Sequence, residues 1–167
     1  MKKLTTFLGE LSEQSPLSYG FTLIELLVVF TFIGVLTSLG IAAYSSYNGA
    51  QSVQTSASDF ATLLNNAKSH AISQVIPSAC GSNSLSGYEI DVIPAGQQYT
   101  LYAVCGSKIQ ISTAMLPYQV TFAGSSSPSV SFNIADGTVT NPATIKINGF
   151  GKTKTVVISQ TGSVEVQ

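Results

Sequence analysis

Residues Phe21–Ala43 read Phe-Thr-Leu-Ile-Glu-Leu-Leu-Val-Val-Phe-Thr-Phe-Ile-Gly-Val-Leu-Thr-Ser-Leu-Gly-Ile-Ala-Ala and contain a single charged side chain, Glu25. As an α-helix these 23 residues would be about 35 Å long, which is enough to cross the ~30 Å hydrocarbon layer of a bilayer. The run is longer than the apolar region of a secretory signal peptide, and no Ala-x-Ala cleavage site follows it. We therefore predict a transmembrane helix over residues 21–43.

Glu25 is the candidate functional residue of this segment, because a carboxylate inside a membrane span is costly and is rarely present without a task. On a helix its side chain lies one turn from the backbone nitrogen of Phe21. If the chain were cut before Phe21, such a carboxylate could meet the new ammonium group.

The composition of the 167 residues excludes several classes of protein. The chain is 44% hydrophobic with a net charge of −1, which argues against disorder, and its length favours a single domain. It contains seven Lys and no Arg, which disfavours a protein that binds nucleic acid by bulk charge. One His and two Cys leave no ligand set for a structural zinc, so we predict neither a metal nor a cofactor.

An apolar stripe at helical spacing follows the predicted span and consists of Val53, Ala57, Phe60, Leu64, Ala67, Ala71 and Val75. It predicts an amphipathic helix over residues 44–76 that continues into the head and is ended by Pro77. After Pro77, apolar residues recur at every second position, a spacing typical of short strands, and turn residues separate the candidate strands. The predicted strands are Tyr88–Ile93, Gln98–Val104, Lys108–Ser112, Tyr118–Ala123, Val130–Ile134, Thr144–Asn148, Thr155–Ser159 and Ser163–Val166.

The predicted fold is therefore α+β. One long N-terminal helix, membrane-spanning in its first half and amphipathic in its second half, packs on an antiparallel β head formed by residues 77–167.

We find no catalytic residues in the sequence, and we predict that the protein is not an enzyme. We interpret His70, the one histidine, as a partly exposed helix residue, and the sequence contains no Gly-x-Ser-x-Gly motif. Residues 151–153 match only the tail of a phosphate-binding loop. Glu89 and Asp91 are two residues apart on a candidate strand, and we predict that they lie on its solvent-exposed face.

Three lysines, Lys146, Lys152 and Lys154, flank one predicted turn and form the one basic cluster of the sequence. They are the candidate nucleic-acid contact, but without Arg or a dense set of aromatic partners we consider nucleic acid an unlikely partner.

The ten residues from Gly20 to Val29, Gly-Phe-Thr-Leu-Ile-Glu-Leu-Leu-Val-Val, resemble the processing site of type IV pilins and type II secretion pseudopilins. The resemblance implies that residues 1–20 are a cytoplasmic leader, that a prepilin peptidase cuts between Gly20 and Phe21, and that Phe21 is then N-methylated. It also implies that Glu25 meets the N-terminal amine of a neighbouring subunit. The implied partners are the peptidase, other pseudopilins or pilins, and the inner membrane.

A looser resemblance covers the last quarter of the chain. Phe132–Gly137, Thr144–Ile147 and Val156–Val164 are similar to the end of the minor pseudopilin H (GspH) and of its FimT-type pilus relatives. Relatives commonly carry Gly-Arg in the last turn, where this chain has Gly162-Ser163, and the members that bind DNA are basic in this region.

These resemblances together favour a structural minor pseudopilin of a type II secretion system. Such a protein would be single-pass in the bacterial inner membrane with its head in the periplasm, and would join the pseudopilus on assembly. The alternative is a FimT-like minor type IV pilin that serves pilus assembly or DNA uptake. An anchored enzyme is a third reading, for which the sequence offers no site.

Cys80 and Cys105 are the two cysteines of the chain, and a periplasmic head would let them form a disulfide. Closing this loop would stabilise the fold by roughly 3.5 kcal/mol in the chain-entropy model. The alternative is a pair of buried free thiols.

Overall fold

The computed structural model describes residues 20–167, without the side chains of residues 38–40 and 42. Of the predicted leader, residues 1–20, all but Gly20 lies outside the described residues. The model contains one long helix, α1, at Leu23–Ile72, a short 3-10 helix at Ser78–Cys80, and eight strands. The strands are β1 Gly87–Val92, β2 Gln98–Val104, β3 Lys108–Met115, β4 Val120–Phe122, β5 Ser129–Asn133, β6 Ala143–Gly149, β7 Lys152–Ile158 and β8 Val164–Val166.

The chain divides into two units, Met1–Gly40 and Ile41–Gln167. In the first unit, the large apolar side chains of α1 between Leu23 and Leu36 are exposed. Within the described part of the chain, no helix combines the length and the apolar character that a membrane crossing requires. The transmembrane helix predicted over residues 21–43 is thus not confirmed by the structure.

α1 ends four residues earlier than predicted, at Ile72, because the chain turns before it reaches the proline. Gln74 adopts a left-handed conformation with φ of 50°. The N–H of Val75 donates to the carbonyl of His70 at 3.1 Å, and the N–H of Gln74 donates to that of Ala71 at 3.2 Å. This pair of hydrogen bonds is the Schellman motif, which closes a helix C-terminus. Val75 therefore lies beyond the helix and is 45% exposed, so its predicted place in the apolar stripe is wrong.

The second unit contains two four-stranded sheets in which every pairing is antiparallel. The first sheet has the order β3-β2-β1-β5 and the second has the order β4-β6-β7-β8. All eight predicted strands are present, β2 with the predicted bounds and the other seven with a shift at one or both ends. β7 begins earlier than predicted because β6 and β7 are joined by the two-residue turn Phe150–Gly151, with φ of 50° and 69°. Positive φ at both central residues is the requirement of a type I′ hairpin turn.

The amphipathic half of α1 packs its apolar stripe on the two sheets, which confirms the predicted α+β fold of a helix on antiparallel strands. Six stripe residues are fully buried, and the core contains inward-facing residues of both sheets. The stripe residues are Val53, Ala57, Phe60, Leu64, Ala67 and Ala71, and the largest buried partners are Phe122, Phe132, Ile90, Ile145, Ile147 and Ile158.

Two glycine turns meet beside the last turns of α1. Gly162 has a φ of 72°, and a Cβ atom added to it would collide with the carbonyl oxygen of Gly137. A Cβ atom on Gly137 would lie 2.9 Å from the side chain of Ile72. The ammonium group of Lys68 donates to the carbonyl oxygens of Gly162 at 3.0 Å and Thr161 at 3.3 Å. The helix therefore holds the C-terminal turn directly, at a point where only glycine fits.

Replacing Gly162 by Ala should destabilise the head. The substitution combines an unfavourable positive φ with an overpacked contact, and we expect the free energy of unfolding to fall by about 3 kcal/mol. Urea denaturation of the full chain in detergent measures the loss. The matched control is Gly124→Ala, because a Cβ atom at Gly124 meets nothing within 4 Å and its φ is ordinary. Equal denaturation midpoints for the two variants would contradict this account.

Candidate functional site

The N-terminus of α1 is capped by a side chain that the sequence interpretation missed. The hydroxyl oxygen of Thr22 accepts a hydrogen bond from the N–H of Glu25 at 3.2 Å, and the N–H of Leu26 donates to the Thr22 carbonyl at 3.2 Å. Thr22 is thus the N-cap and Glu25 the third helical residue. The spacing Thr-x-x-Glu is the signature of a capping box and was the available signal. The carboxylate of Glu25 lies in the first turn of the helix, where a negative charge is favoured.

Gly20 and Phe21, the predicted cleavage pair, precede the first helical residue and are exposed. The peptide bond between them therefore lies outside the hydrogen-bonded part of α1, in a stretch without regular secondary structure. Glu25 is also exposed, one turn further along the helix. Cleavage at this bond and the meeting of Glu25 with a neighbouring amine remain predictions.

The predicted disulfide is present and joins Cys80 to Cys105. Cys80 ends the 3-10 helix and Cys105 directly follows β2, and their Cα atoms are 5.7 Å apart. Both residues are buried in the core. The bond ties the segment after α1 to the first sheet, so the alternative of two free thiols is wrong.

The structure does not bring the three lysines of the predicted basic cluster together. Lys146 lies opposite Thr155 on the paired strands, whereas Lys154 lies opposite Ile147. Directly opposed residues share one face of a sheet and successive residues alternate between faces. Lys146 is therefore on one face of the second sheet, and Lys152 and Lys154 are on the other. The division leaves no single basic surface for a phosphate backbone.

Glu89 and Asp91, predicted to form a solvated face, are instead bound to a lysine. The ammonium group of Lys108 lies 2.9 Å from Glu89 Oε1 and 3.0 Å from Asp91 Oδ2, and 5.5 Å from the centre of the Tyr102 ring. The hydrogen bond to Glu89, followed by that to Asp91, raises the pKa of Lys108. Such partly exposed ion pairs contribute little to stability, typically below ~1 kcal/mol. The arrangement links β3 to β1 across β2.

His70 occupies an exposed position near the C-terminus of α1, in keeping with the sequence interpretation of a surface helix residue. Its ring centre lies 5.7 Å from that of Tyr88, whose hydroxyl donates to the Val75 carbonyl at 2.7 Å. Burial raises the pKa of Tyr88. In the described part of the chain, no group of three or more His, Cys, Asp or Glu residues could hold a metal ion.

The turn after β5 contains another ionisable group with a shifted pKa, Asp136. Asp136 Oδ1 accepts hydrogen bonds from the N–H and the hydroxyl of Thr138, each at 3.0 Å. These two bonds lower the pKa of Asp136, the backbone bond most strongly. The carboxylate acts as a turn-forming group here, since its acceptor oxygen is already bound to its own loop.

In the described chain, a capped helix start is continued by an amphipathic half that packs on an antiparallel β head. The match to a family model gives the class of this chain, which is pseudopilin-like. The chain belongs to the family of type II transport protein GspH, whose family model matches residues 56–162. Searches of the curated proteins and of the solved structures find no match.

Membership of this family identifies the chain as a type II secretion pseudopilin-like protein. The family is structural rather than enzymatic, and it implies association with other pseudopilins in a periplasmic pseudopilus. The matched residues 56–162 do not include the Gly20–Val29 motif. The head and the N-terminal motif are therefore two separate lines of support for the same class.

Removing the disulfide should weaken the head without changing its fold. Cys80 and Cys105 are 25 residues apart, and releasing this loop should lower the free energy of unfolding by about 3.5 kcal/mol. We expect dithiothreitol to shift the urea midpoint of the full chain in detergent. The control is the double variant Cys80→Ser/Cys105→Ser, which should be less stable and unaffected by the reductant. An unshifted midpoint in fully reduced protein, verified by mass spectrometry, would argue against a stabilising disulfide.

Proposed function

We propose that the chain is a structural minor pseudopilin of a type II secretion system. In this proposal a prepilin peptidase cuts between Gly20 and Phe21, and Phe21 is N-methylated. The segment 21–43 then anchors the subunit in the inner membrane until it enters the pseudopilus. The family match supports the system and the kind of subunit, and the Gly20–Val29 motif supports the processing step.

The proposal rests on one observation, which is that the first turns of α1 have an exposed apolar surface. Large apolar side chains at consecutive positions are exposed on all sides of this helix, and a helix that is apolar all round is stable only within lipid or among other helices. A subunit that passes from membrane to filament meets both environments in turn. The exposed residues are Leu23, Ile24, Leu26, Leu27, Val28, Val29, Phe30, Phe32, Ile33, Val35 and Leu36.

Glu25 gives this apolar surface its one charge, and cleavage before Phe21 would create a second. An ammonium group buried among bundled helices would be strongly destabilising without a partner. Phe21 precedes Glu25 by four residues, or about 6 Å along a helix axis. A neighbouring subunit displaced by about that distance would bring its amine beside Glu25, so the ion pair would fix the stagger between adjacent helices.

The alternative is a FimT-like minor type IV pilin for pilus assembly or DNA uptake, and the arrangement of basic residues does not favour the uptake of DNA. The lysines that could contact DNA lie on two faces of the second sheet, and the last turn has Ser163 where relatives commonly have arginine. We therefore assign the head to contacts with other protein subunits.

Removing the charge of Glu25 should block assembly and leave cleavage largely intact. Glu25→Gln is the sharper variant, because Gln also suits the third position of a capping box and only the charge is lost. We expect the processed protein to remain in the inner membrane fraction instead of the pseudopilus fraction. The control is Thr22→Ala, which removes the cap but keeps the carboxylate and should still assemble. Normal filament incorporation of Glu25→Gln would refute the proposed ion pair.

Replacing Gly20 by Leu should prevent processing. We expect an unprocessed precursor that migrates more slowly on a gel, and mass spectrometry of the wild type should find a chain that begins with methylated Phe21. Gly34→Leu is the matched control, since Gly34 lies inside α1 and a Cβ atom there meets nothing within 4 Å. If Gly20→Leu and the wild type gave the same mature mass, the proposed cleavage site would be wrong.

A further inference from the structure

One end of the second unit carries exposed aromatic side chains, and we propose that this end rests on the surface of the bilayer before the subunit enters a filament. We call it the aromatic end and define it by Tyr44, Tyr47, Tyr118 and Phe150. The partner is a lipid surface that contains anionic headgroups. The inference rests on the proposed function, because it requires residues 21–43 to be anchored in the membrane.

Close contacts show that three separate segments meet at this end. A Cβ atom added to Gly49 of α1 would lie 2.6 Å from Cβ of Phe150 in the β6–β7 turn, so helix and turn touch. Gly149, directly before the turn, pairs with Val120 at the start of β4, and a Cβ atom added to Gly149 would lie 2.8 Å from the carbonyl oxygen of Gln119. Tyr118 lies in the turn that precedes β4, where the N–H of Val120 donates to the Pro117 carbonyl at 3.0 Å.

The four aromatic side chains are exposed. Tyr44 and Tyr47 are each 67% exposed, Tyr118 is 83% exposed and Phe150 is 47% exposed. Elsewhere in the same unit Phe60, Phe122 and Phe132 are fully buried. Tyr side chains are enriched at membrane–water interfaces, where an apolar ring and a polar hydroxyl are both satisfied.

The position of the aromatic end along α1 matches the depth of the headgroup layer. The apolar run ends at Ala43, and Gly49 follows six residues later, or about 9 Å along the helix axis. The polar headgroup region adds roughly 5–8 Å on each side of the hydrocarbon core. Tyr44 and Tyr47 follow Ala43 by one and four residues, or about 1.5 and 6 Å along the helix axis, distances no greater than the thickness of this layer. Phe150 contacts Gly49 in the next turn of the helix.

The charges at this end suit an anionic surface. Lys152 is exposed and directly follows the β6–β7 turn. The segments that meet at this end, residues 41–53, 116–119 and 148–154, contain no acidic residue. A basic side chain beside a membrane is attracted by anionic lipids, and no neighbouring carboxylate in these segments opposes that attraction.

Phe150 itself argues for an external partner. Its φ of 50° is rare for a bulky side chain, and a two-residue turn of this kind is more favourable with Asn or Gly. Backbone strain of this kind persists mainly where function requires it. Phe150 is also half exposed. If lipid covered the exposed part of its ring, the burial of that apolar surface would offset the backbone strain.

The chain contains no Trp, so one introduced Trp reports its own surroundings. The full processed chain carrying Phe150→Trp is reconstituted into vesicles of phosphatidylethanolamine and phosphatidylglycerol, with and without lipid that carries a nitroxide on its headgroup. Tyr118→Trp is a second probe of the same end, in case the first variant folds poorly. The control is Ile76→Trp, an exposed apolar position beyond the C-terminus of α1.

We expect Trp at positions 150 and 118 to show a blue-shifted emission and to lose most of its intensity to the nitroxide lipid, while Trp at position 76 keeps its intensity. Replacing the phosphatidylglycerol by phosphatidylcholine should reduce the quenching at position 150. If the protein floats with the vesicles but Trp at positions 150 and 76 is quenched equally, or neither is quenched, the inference is wrong. The proposed membrane anchor over residues 21–43 would not be contradicted by that result. A blue shift without quenching means that another protein surface covers this end, which also overturns it. Protein that does not float with the vesicles overturns the membrane anchor and, with it, this inference.

Discussion

The ring of Phe60 is the contact on which the head depends. It lies edge-on to Tyr99 of the first sheet at 5.4 Å and to Phe122 of the second sheet at 5.3 Å, and those two rings are themselves 6.0 Å apart. Each such aromatic pair contributes about 0.5–1.5 kcal/mol beyond the burial of its area. The two sheets share no strand pairing, so this contact from the helix joins them in the core, and hydrogen bonds from Phe122 N–H to the Gly96 carbonyl and from Gln97 Nε2 to the Val120 carbonyl join them at one edge. The rest of the apolar stripe extends this contact along α1.

Polar and covalent links close the two ends of this core. Lys68 holds the carbonyls of the final turn, and the disulfide between Cys80 and Cys105 fastens the segment after the helix to the first sheet. Gly49 and Phe150 make the corresponding close approach at the aromatic end. The core thus needs few charges, which explains how a chain with 15 charged side chains can form a stable head.

Local patterns in the sequence predicted the elements well, because periodicity and turn residues act over a few positions. The apolar stripe from Val53 to Ala71, all eight strands and the cysteine pair follow from such patterns. The helix end was misplaced because Gln74, an ordinary residue, adopts the left-handed conformation that Gly usually supplies. The division of the lysines between two faces and the bonds of Lys108 to Glu89 and Asp91 depend on strand register, which single-sequence patterns leave open.

The hydrogen bonds from Lys68 to the final turn also constrain when the protein can fold. Their partners are separated by 93 and 94 residues, so the helix is synthesised long before the last strands that cover its stripe. Contacts between residues so far apart in sequence form slowly. Until they form, the apolar stripe of α1 is uncovered and prone to aggregate. The low charge of the head offers little electrostatic protection in that interval. The chain is therefore most vulnerable before its last strand is synthesised, and a chaperone would have its clearest target in the uncovered stripe of α1.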